Sequence, residues 1–371
     1  MKLENIIERI HTSPKDDKVV FEELKNDNKP VLIYGCSDYS KVIFEYLKKQ
    51  GIKIDAFVVD KPYWEENFYI EDKKVLCMND VALEKYNVVI GFGDVEKSRF
   101  LINNEGLLKT KFYFLWEPIT CYVWNLDYVK NNWDIINVVF DGLADKRSKR
   151  TLFELIVAKL NGCCSKQLLE AADGGKHYFN ELTFCPDSKD EILIDCGAYN
   201  GDTIEQYLDF TDSNYKKIYA FEPGKEIIEV LKKNVSSYKN IEIVNKGVWN
   251  ENTFLIFEDS GETSHIDNKE GENTVEVTTI DTVVQSDERI TFIKMDIEGS
   301  ELEALQGAVE TIKRDMPKLA ICCYHKKDDI IELFTFVKNC ENSEYRYNIY
   351  LRQHSNSAYE TVLYAIPVKR N

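Results

Sequence analysis

The spacing of apolar and polar positions predicts a small α/β unit in the first third of the chain. An apolar run at 31–34 ends at Gly35, an amphipathic stretch follows, and a second apolar run ends at Asp60. A third run at 87–94 closes the pattern. Short apolar runs that stop at glycine and alternate with helical periodicity are typical of parallel α/β units. We therefore predict a Rossmann-like domain over residues 1–115.

The next stretch, residues 116–185, has the spacing of helices. Its apolar residues recur at intervals of three and four and share one helix face at Leu152, Leu155, Ile156 and Leu160. We predict a mainly helical connector here.

A longer α/β unit is predicted for residues 186–371. Its strand-like runs are 192–197, 217–221, 241–244, 291–296 and 319–324. One helix face is predicted from the spacing of Leu302, Leu305, Val309 and Ile312. The alternation implies a doubly wound, mainly parallel sheet with helices on both sides. The runs at 345–351 and 360–366 lack a convincing helix between them, so we expect a hairpin that places an antiparallel strand at one sheet edge.

Composition and charge narrow the function classes. The 371 residues exceed one typical domain, and 47 Lys and Arg against 64 Asp and Glu give a formal net charge of −17. An acidic chain without a basic cluster repels a phosphate backbone, so we expect no nucleic acid partner. The first residues lack a secretory pattern, and no apolar run approaches the roughly 20 residues of a membrane span. We expect a cytoplasmic protein.

The ten cysteines do not indicate a disulfide framework. Several lie inside apolar runs, and no CxxC pair suggests zinc or redox chemistry. We expect reduced, mostly buried thiols.

Two segments at predicted strand ends indicate a nucleoside site. After the first strand of the longer unit, Gly197 and Gly201 let the chain turn tightly and leave room for a ligand. Their G-x-x-x-G spacing lacks the pyrophosphate cradle of G-x-G-x-x-G. At the end of the next strand, Glu222 can accept hydrogen bonds from two ribose hydroxyls. Taken singly, either segment could be an ordinary strand-ending turn.

A third segment brings two carboxylates to the same sheet edge. Asp296 and Glu298 follow a predicted strand, and Ser300 is placed to cap the next helix. Ligands of doubly wound sheets bind outside the carboxyl ends of the strands, at the switch in strand order. We expect the strands that end at Asp195 and Asp296 to be neighbours across that switch. A charged turn before a helix is the alternative interpretation.

Together these segments resemble the FkbM-type S-adenosylmethionine-dependent methyltransferases. The similarity spans about residues 190–367 and rests on ILIDCGAYNGDT, YAFEPG, VNKGVWN, TTIDTVV, FIKMDIEGSELEALQGA, YHK and LYA. It implies a class I methyltransferase fold with seven strands, the last antiparallel, and S-adenosyl-L-methionine as cofactor. Cys196 and Tyr199 depart from the residues more usual in the first segment, whereas Asp195 and both glycines fit.

The resemblance also implies a cofactor site. The first glycine segment would line the methionine and ribose, Glu222 would hold the ribose hydroxyls, 245–248 would lie beside the adenine, and Asp296 would lie close to the sulfonium. In full, the predicted cofactor residues are Asp195, Gly197, Ala198, Gly201, Thr203, Glu222, Pro223, Asn245, Gly247, Val248 and Asp296.

Methyl transfer to a hydroxyl needs alignment and a base. Among five histidines, His325 follows the fifth strand at the expected reaction edge. We predict His325 as general base or acceptor ligand, with Asp296 or Glu298 as its partner; a structural histidine is the alternative. The two carboxylates and a histidine could also gather a divalent metal, but no ligand spacing supports one, and we expect none. Acceptor contacts are predicted for Tyr324, Arg352 and His354.

The amino-terminal domain is open to two interpretations. Gly35 keeps only the first glycine of G-x-G-x-x-G, and Ser37 and Ser40 occupy the other two places. A serine at the close-approach position adds bulk where a pyrophosphate would lie. We favour a scaffold or assembly role over nucleotide binding.

The sequence therefore predicts a methyltransferase that modifies a hydroxyl of a sugar, a glycan or a small metabolite. The alternatives are N- or C-methylation, a non-catalytic cofactor-binding module of a glycan-modifying assembly, and a nicotinamide-dependent sugar oxidoreductase. The oligomeric state stays open, a homo-oligomer included.

Overall fold

The chain forms two compact units. The computed structural model describes residues 1–12, 17–115, 124–175, 177–185, 188–256 and 274–370. The first unit comprises Met1–Asp141, Asp145–Gly175 and Arg352–Thr361. The second comprises Gly142–Ala144, Lys176–Leu351 and Val362–Asn371. Most of the predicted connector thus belongs to the first unit.

The first unit is built on a six-stranded sheet. Its strands are β1 (Val31–Tyr34), β2 (Ile54–Val59), β3 (Tyr69–Ile70), β4 (Lys73–Cys77), β5 (Asn87–Ile90) and β6 (Phe112–Tyr113). The order is β3-β4-β2-β1-β5-β6, and all neighbouring pairs are parallel except β3 with β4. The three predicted runs form β1, β2 and β5, because their apolar side chains are buried between helices.

In the described part of the chain, nine α-helices lie in or begin in this unit. They are α1 (Leu3–Thr12), α2 (Asp17–Asn26), α3 (Asp38–Lys49), α4 (Val95–Asn103), α5 (Glu105–Leu108), α6 (Leu126–Asn131), α7 (Trp133–Gly142), α8 (Lys146–Asn161) and α9 (Lys166–Ala171). The predicted helical face at 152–160 lies on α8, which begins at the N-cap Asp145 and ends at Gly162 in the left-handed conformation.

A segment from near the end of the chain completes the first unit. The amide Nδ2 of buried Asn356 donates to the carbonyl O of Phe92 at 2.8 Å and to Oγ of Ser98 at 2.7 Å. Phe92 follows β5, and Ser98 lies in α4. Residues 352–361, which we call the hairpin tip, therefore lie against the carboxyl end of β5 in this sheet.

The second unit contains a seven-stranded sheet, as the sequence predicts. The strands of this unit are β7 (Ile192–Cys196), β8 (Lys217–Phe221), β9 (Ile241–Val244), β10 (Gly247–Val248), β11 (Thr253–Ile256), β12 (Thr274–Thr278), β13 (Phe292–Met295), β14 (Lys318–Cys322), β15 (Tyr345–Gln353) and β16 (Thr361–Lys369). The large sheet has the order β15-β16-β14-β13-β7-β8-β9, and β10-β12-β11 form a small one. The α/β class and the predicted strand positions are confirmed.

The strand order places the site segments and corrects one expectation. β7 and β13 are parallel neighbours, so the strand ends at Asp195 and Asp296 meet at the switch in strand order, as expected. β16 runs antiparallel to β14 but lies between β14 and β15. The last strand is thus antiparallel to its neighbour β14, as the resemblance implies, but the expected position of the antiparallel strand at the sheet edge was wrong, because β15 is the edge strand.

The helices of the second unit correct a second expectation. They are α10 (Asp202–Phe210), α11 (Ile227–Val235), α12 (Ile280–Val283), α13 (Glu301–Gln306), α14 (Val309–Asp315) and α15 (Asp329–Asn339). The single helix predicted from Leu302 to Ile312 is two helices that break at Gly307. A Cβ at Gly307 would lie 2.0 Å from the carbonyl O of Trp249, so this glycine permits a close backbone approach.

Two further expectations concern membranes and cysteines. Within the described ranges, no helix combines the length and apolar character that crossing a bilayer requires. Of the nine cysteines in the described part of the chain, seven are buried, in agreement with the expected burial.

Candidate active site

The glycine turn after β7 is packed against the end of β13. Gly197 has φ of 81°, and a Cβ there would lie 2.0 Å from the carbonyl O of Asp296. Any side chain would force the two strand ends apart. The N–H groups of Gly197 and Ala198 donate to the carbonyl O of Phe221 at 3.1 and 3.0 Å, which ties the turn to the end of β8.

Glu222 is fixed at the end of β8 by backbone donors. Its Oε2 accepts the N–H of Tyr199 at 2.9 Å, and its Oε1 accepts the N–H of Gly224 at 2.7 Å. The residue is mostly buried. Because each carboxylate oxygen has two lone pairs, both oxygens can accept a further hydrogen bond from a diol.

The other predicted cofactor residues lie around these two turns. Gly201 begins α10 with φ of 93°, and Thr203 is buried in the first turn of that helix. Asn245 follows β9 and donates from Nδ2 to the carbonyl O of Glu222 at 2.9 Å. The predicted adenine segment continues into β10, which contains Gly247 and Val248, while Pro223 follows Glu222 in the loop after β8.

A buried lysine holds the glycine turn, and sequence reasoning missed it. Lys294 Nζ lies 2.9 Å from Asp195 Oδ1 and donates to the carbonyl O of Gly197 at 2.9 Å. Burial disfavours the charged lysine, but Asp195 and Asp296 outweigh it and raise the lysine pKa. The signal in the sequence is a single charge in each of two otherwise apolar strands, LIDC and FIKM. The structure thus places Asp195 as the partner of Lys294.

Two tyrosine hydroxyls orient Asp296. Tyr178 donates to Oδ2 at 3.0 Å, and Tyr324 donates to Oδ1 at 3.2 Å. Burial penalises the ionised carboxyl, but Lys294, His325 and the hydrogen bond from Tyr178 outweigh it and lower the pKa of Asp296. Asp296 is therefore an anion at the switch point. Sequence reasoning missed Tyr178, which lies 118 positions earlier in a segment without a regular element.

His325 lies beside this carboxylate, as predicted, but its nearest acid is a different one. The imidazole Nδ1 is 2.9 Å from Glu301 Oε1, whereas Nε2 is 3.5 Å from Asp296 Oδ1 and 3.7 Å from Glu298 Oε2. Only 7% of the His325 side chain is exposed, against 92% for Glu298. Burial disfavours the imidazolium, but the hydrogen bond to Glu301 and the charges of Glu301, Asp296 and Glu298 raise the pKa of His325 to about 9.

The turn before α13 explains why Glu298 and Glu301 differ. Glu298 and Gly299 both have positive φ, 55° and 96°. Ser300 occupies the predicted N-cap position, but its side chain makes no capping hydrogen bond. Glu301 Oε1 instead accepts the N–H of Ile297 at 3.0 Å.

Arg352 and His354 lie in the first unit. The Arg352 guanidinium donates to Asp145 Oδ2 at 2.6 Å and to Ser148 Oγ at 2.7 Å. His354 is buried in the hairpin tip. Of the three predicted acceptor contacts, Tyr324 lies in the second unit, beside Asp296 and His325.

The fold is α/β and methyltransferase-like. The chain is similar to the crystal structure of methyltransferase FkbM from Methylobacillus flagellatus KT, with 19% identity, a TM-score of 0.66 and 98% of each chain covered. Residues 195–349 match the family model described as "Methyltransferase FkbM domain". The match confirms, over residues 195–349, the resemblance seen in the sequence.

Other solved structures align with about half of the chain. An rRNA methylase from Streptococcus thermophilus has 18% identity and a TM-score of 0.32 over 50% of this chain and 89% of that chain. Aeropyrum pernix fibrillarin, in complex with natively bound S-adenosyl-L-methionine, has 11% identity and a TM-score of 0.32 over 49% of this chain and 69% of that chain. A search of the curated proteins finds no match.

S-adenosylmethionine is the cofactor of an FkbM methyltransferase domain, and the residues present fit it. Gly197 leaves open the space that a Cβ would fill at the strand switch. Glu222 has acceptor capacity for a diol. Asp296 is an oriented carboxylate whose negative charge suits a sulfonium.

Proposed function

We propose that the second unit methylates a hydroxyl group of a sugar, a glycan or a small metabolite, and that His325 accepts the hydroxyl proton. The observation that carries this proposal is the imidazole at the carboxyl edge of the sheet, with Nδ1 beside Glu301 and Nε2 beside Asp296. A nucleophilic oxygen needs a proton acceptor as its bond to carbon forms. His325 is the proton acceptor that we assign among the described residues of this site.

The cofactor-binding roles are part of the same proposal. The turn at Gly197 and Gly201 would lie against the methionine and ribose, and Glu222 would accept hydrogen bonds from the ribose hydroxyls. Asp296 would face the sulfonium, with its direction set by Tyr178 and Tyr324. In addition, the adenine would be lined by residues Asn245, Gly247 and Val248.

When bound, the cofactor supplies a methyl group attached to a positively charged sulfur. The sulfur is the leaving group and becomes a neutral thioether. The oxygen of the acceptor would form the new bond to the methyl carbon as the carbon–sulfur bond breaks, and Nε2 of His325 would take the hydroxyl proton. Alignment of the two reactants can lower the barrier by about 7–11 kcal/mol. The oriented carboxylate of Asp296 and the fixed ring of His325 would provide such alignment.

The test is methyl transfer from methyl-labelled S-adenosylmethionine to a pool of glycans and nucleotide sugars, read by mass spectrometry. We expect a labelled O-methyl product with the natural chain, and at least about a 100-fold lower rate with His325→Asn. Binding of S-adenosylhomocysteine should be unchanged in that variant. His11→Asn, a histidine of the first unit, is the matched control. Full turnover in His325→Asn would contradict the base assignment.

The same product analysis separates the alternatives. A methyl group on nitrogen or carbon would favour N- or C-methylation. Cofactor binding without transfer to any acceptor would favour a non-catalytic module of a glycan-modifying assembly.

For the first unit we propose a scaffold role. The loops after β1 and β5 approach closely, since a Cβ at Gly35 would lie 2.5 Å from the carbonyl O of Gly91, and Ser40 Oγ donates to that oxygen at 2.7 Å. The hairpin tip lies at the same edge, through Asn356. A Rossmann-like sheet binds dinucleotides at this edge, so the chain's own residues compete for that space. Heat of binding with NAD or a nucleotide sugar in the His325→Asn chain would contradict the scaffold role and favour the oxidoreductase alternative.

A further inference from the structure

We propose that Glu301 is a positioning residue that fixes the ring of His325, so that Nε2 is the nitrogen that takes the proton of the acceptor. The inference rests on the proposed function of this site. Segment 296–303 contains four acids, and the sequence does not show which of them partners His325. Sequence reasoning favoured Asp296 or Glu298 in that role, whereas this proposal assigns it to Glu301.

Glu301 is itself held rigidly. It is the first residue of α13, and 1% of its side chain is exposed. Its Oε1 accepts the N–H of Ile297 at 3.0 Å, which anchors the carboxylate to the turn after β13. A buried carboxylate with a backbone donor has little freedom to swing, so a partner bound to it acquires a fixed direction.

The ring of His325 is held on two sides. Its Nδ1 lies 2.9 Å from Glu301 Oε1, and its ring centroid lies 4.1 Å from that of Tyr324. A proton held on Nδ1, the nitrogen next to the Glu301 carboxylate, would leave the lone pair of the neutral ring on Nε2. That nitrogen is the one beside Asp296, where the proposed methyl transfer takes place.

The charges around the ring distinguish Glu301 from the other acids. The charged groups that face His325 from the neighbouring elements are Asp296 and Glu298 after β13, Glu301 in α13, Lys326 after β14 and Asp329 in α15. Glu301 makes the shortest contact and is buried, whereas Glu298 is almost fully exposed, so water screens its charge. Removal of the Glu301 charge should therefore affect the imidazole more than removal of the Glu298 charge.

The first test follows the imidazole itself by NMR titration of the full chain without substrate. The resonance that disappears in His325→Asn identifies the ring. We expect a midpoint near pH 9 in the natural chain, a midpoint at least about one pH unit lower in Glu301→Gln, and a change under about half a unit in the matched control Glu298→Gln. Glu301→Asp should fall between them. A midpoint unchanged in Glu301→Gln, or shifted more in Glu298→Gln, would overturn the proposal.

The second test follows turnover. Glu301→Gln should lower kcat on the high-pH plateau at least about tenfold and move the acid limb of the pH profile to lower pH, with the KM for S-adenosylmethionine unchanged. Partial recovery in Glu301→Asp would support positioning by a carboxylate. Unchanged kcat in Glu301→Gln would overturn it. If the natural chain methylates no acceptor, the result counts against the proposed function. The NMR titration alone would then test whether Glu301 controls the pKa of His325.

Discussion

Lys294 and Asp195 face each other across the parallel pair β13 and β7, with Nζ 2.9 Å from Oδ1 and at most 2% of either side chain exposed. The lysine also donates to the carbonyl O of Gly197. A buried ion pair in the sheet therefore supports the turn that we assign to the cofactor. The stability of the sheet and the geometry of the site therefore both depend on the Lys294–Asp195 ion pair.

We expect Lys294→Met to lower the free energy of unfolding by about 3–5 kcal/mol, because Asp195 would remain buried without its counter-charge. Affinity for S-adenosylhomocysteine should fall as well. Urea denaturation and calorimetry measure the two effects. Lys232→Met, which removes a half-exposed lysine paired with Glu229, should change stability by less than about 0.5 kcal/mol. Equal losses in both variants would contradict the role of the buried pair.

Gly197→Ala should destabilise the second unit and weaken cofactor binding at least about tenfold. The left-handed conformation costs a residue with a Cβ about 1–2 kcal/mol, and that Cβ would meet the carbonyl O of Asp296. Thermal unfolding and calorimetric titration report the result. Gly106→Ala, where no atom lies within 4 Å of the added Cβ, is the control and should be neutral or slightly stabilising. Undiminished affinity in Gly197→Ala would show that the turn tolerates a side chain.

The rate of methyl transfer should rise with pH. Only the neutral ring of His325 can accept a proton, and a pKa of about 9 leaves most rings protonated at pH 7. We expect kcat/KM to rise about tenfold per pH unit below that value and to level off above it. Initial rates between pH 6 and 10 give the profile. A flat profile between pH 6 and 8 would exclude His325 as the base.

Chelation should leave methyl transfer unchanged. Asp296, Glu301 and His325 bring ligand-type atoms within 4.8 Å of one another, but a metal would have to displace the proton that the raised pKa favours on this ring, which weakens its binding at neutral pH. Initial rates with and without EDTA test this expectation. Lost activity that returns with Mg²⁺ or Mn²⁺ would assign these side chains to a metal.

Asn356→Ala should destabilise the first unit, because it removes the donor that serves the carbonyl O of Phe92 and Oγ of Ser98. The expected loss is about 1–3 kcal/mol, and hydrogen exchange should speed up in β5 and α4. Asn137→Ala, which removes a local hydrogen bond to the carbonyl O of Trp133, is the control and should leave those amides unchanged. Equal exchange rates in both variants would show that the hairpin tip does not stabilise this sheet.

The strand ends were predictable from the sequence because parallel topology brings them together. Apolar runs that stop at glycine or at an acid located the ends of β7, β8 and β13, and the switch rule made Asp195 and Asp296 neighbours. His325 followed from the same rule, since it comes directly after β14.

Side-chain directions at irregular backbone were not predictable. The positive φ values of Glu298 and Gly299 break the alternation that a strand would continue, so the buried acid is Glu301 and not Glu298. Tyr178 reaches Asp296 from a segment with no periodicity. The surroundings of Arg352 depend on which compact unit contains the hairpin tip. This depends on contacts between residues far apart in the sequence, which the local spacing of apolar residues does not reveal.

The hairpin tip also sets the order in which the chain can finish folding. Residues 352–361 emerge from a ribosome long after the rest of the first unit, which ends at Gly175. At synthesis rates of about 5–20 residues per second, Asn356 is synthesised on the order of ten to forty seconds after Gly175. The first unit therefore cannot make the Asn356 hydrogen bonds to Phe92 and Ser98 until most of the second unit has been synthesised.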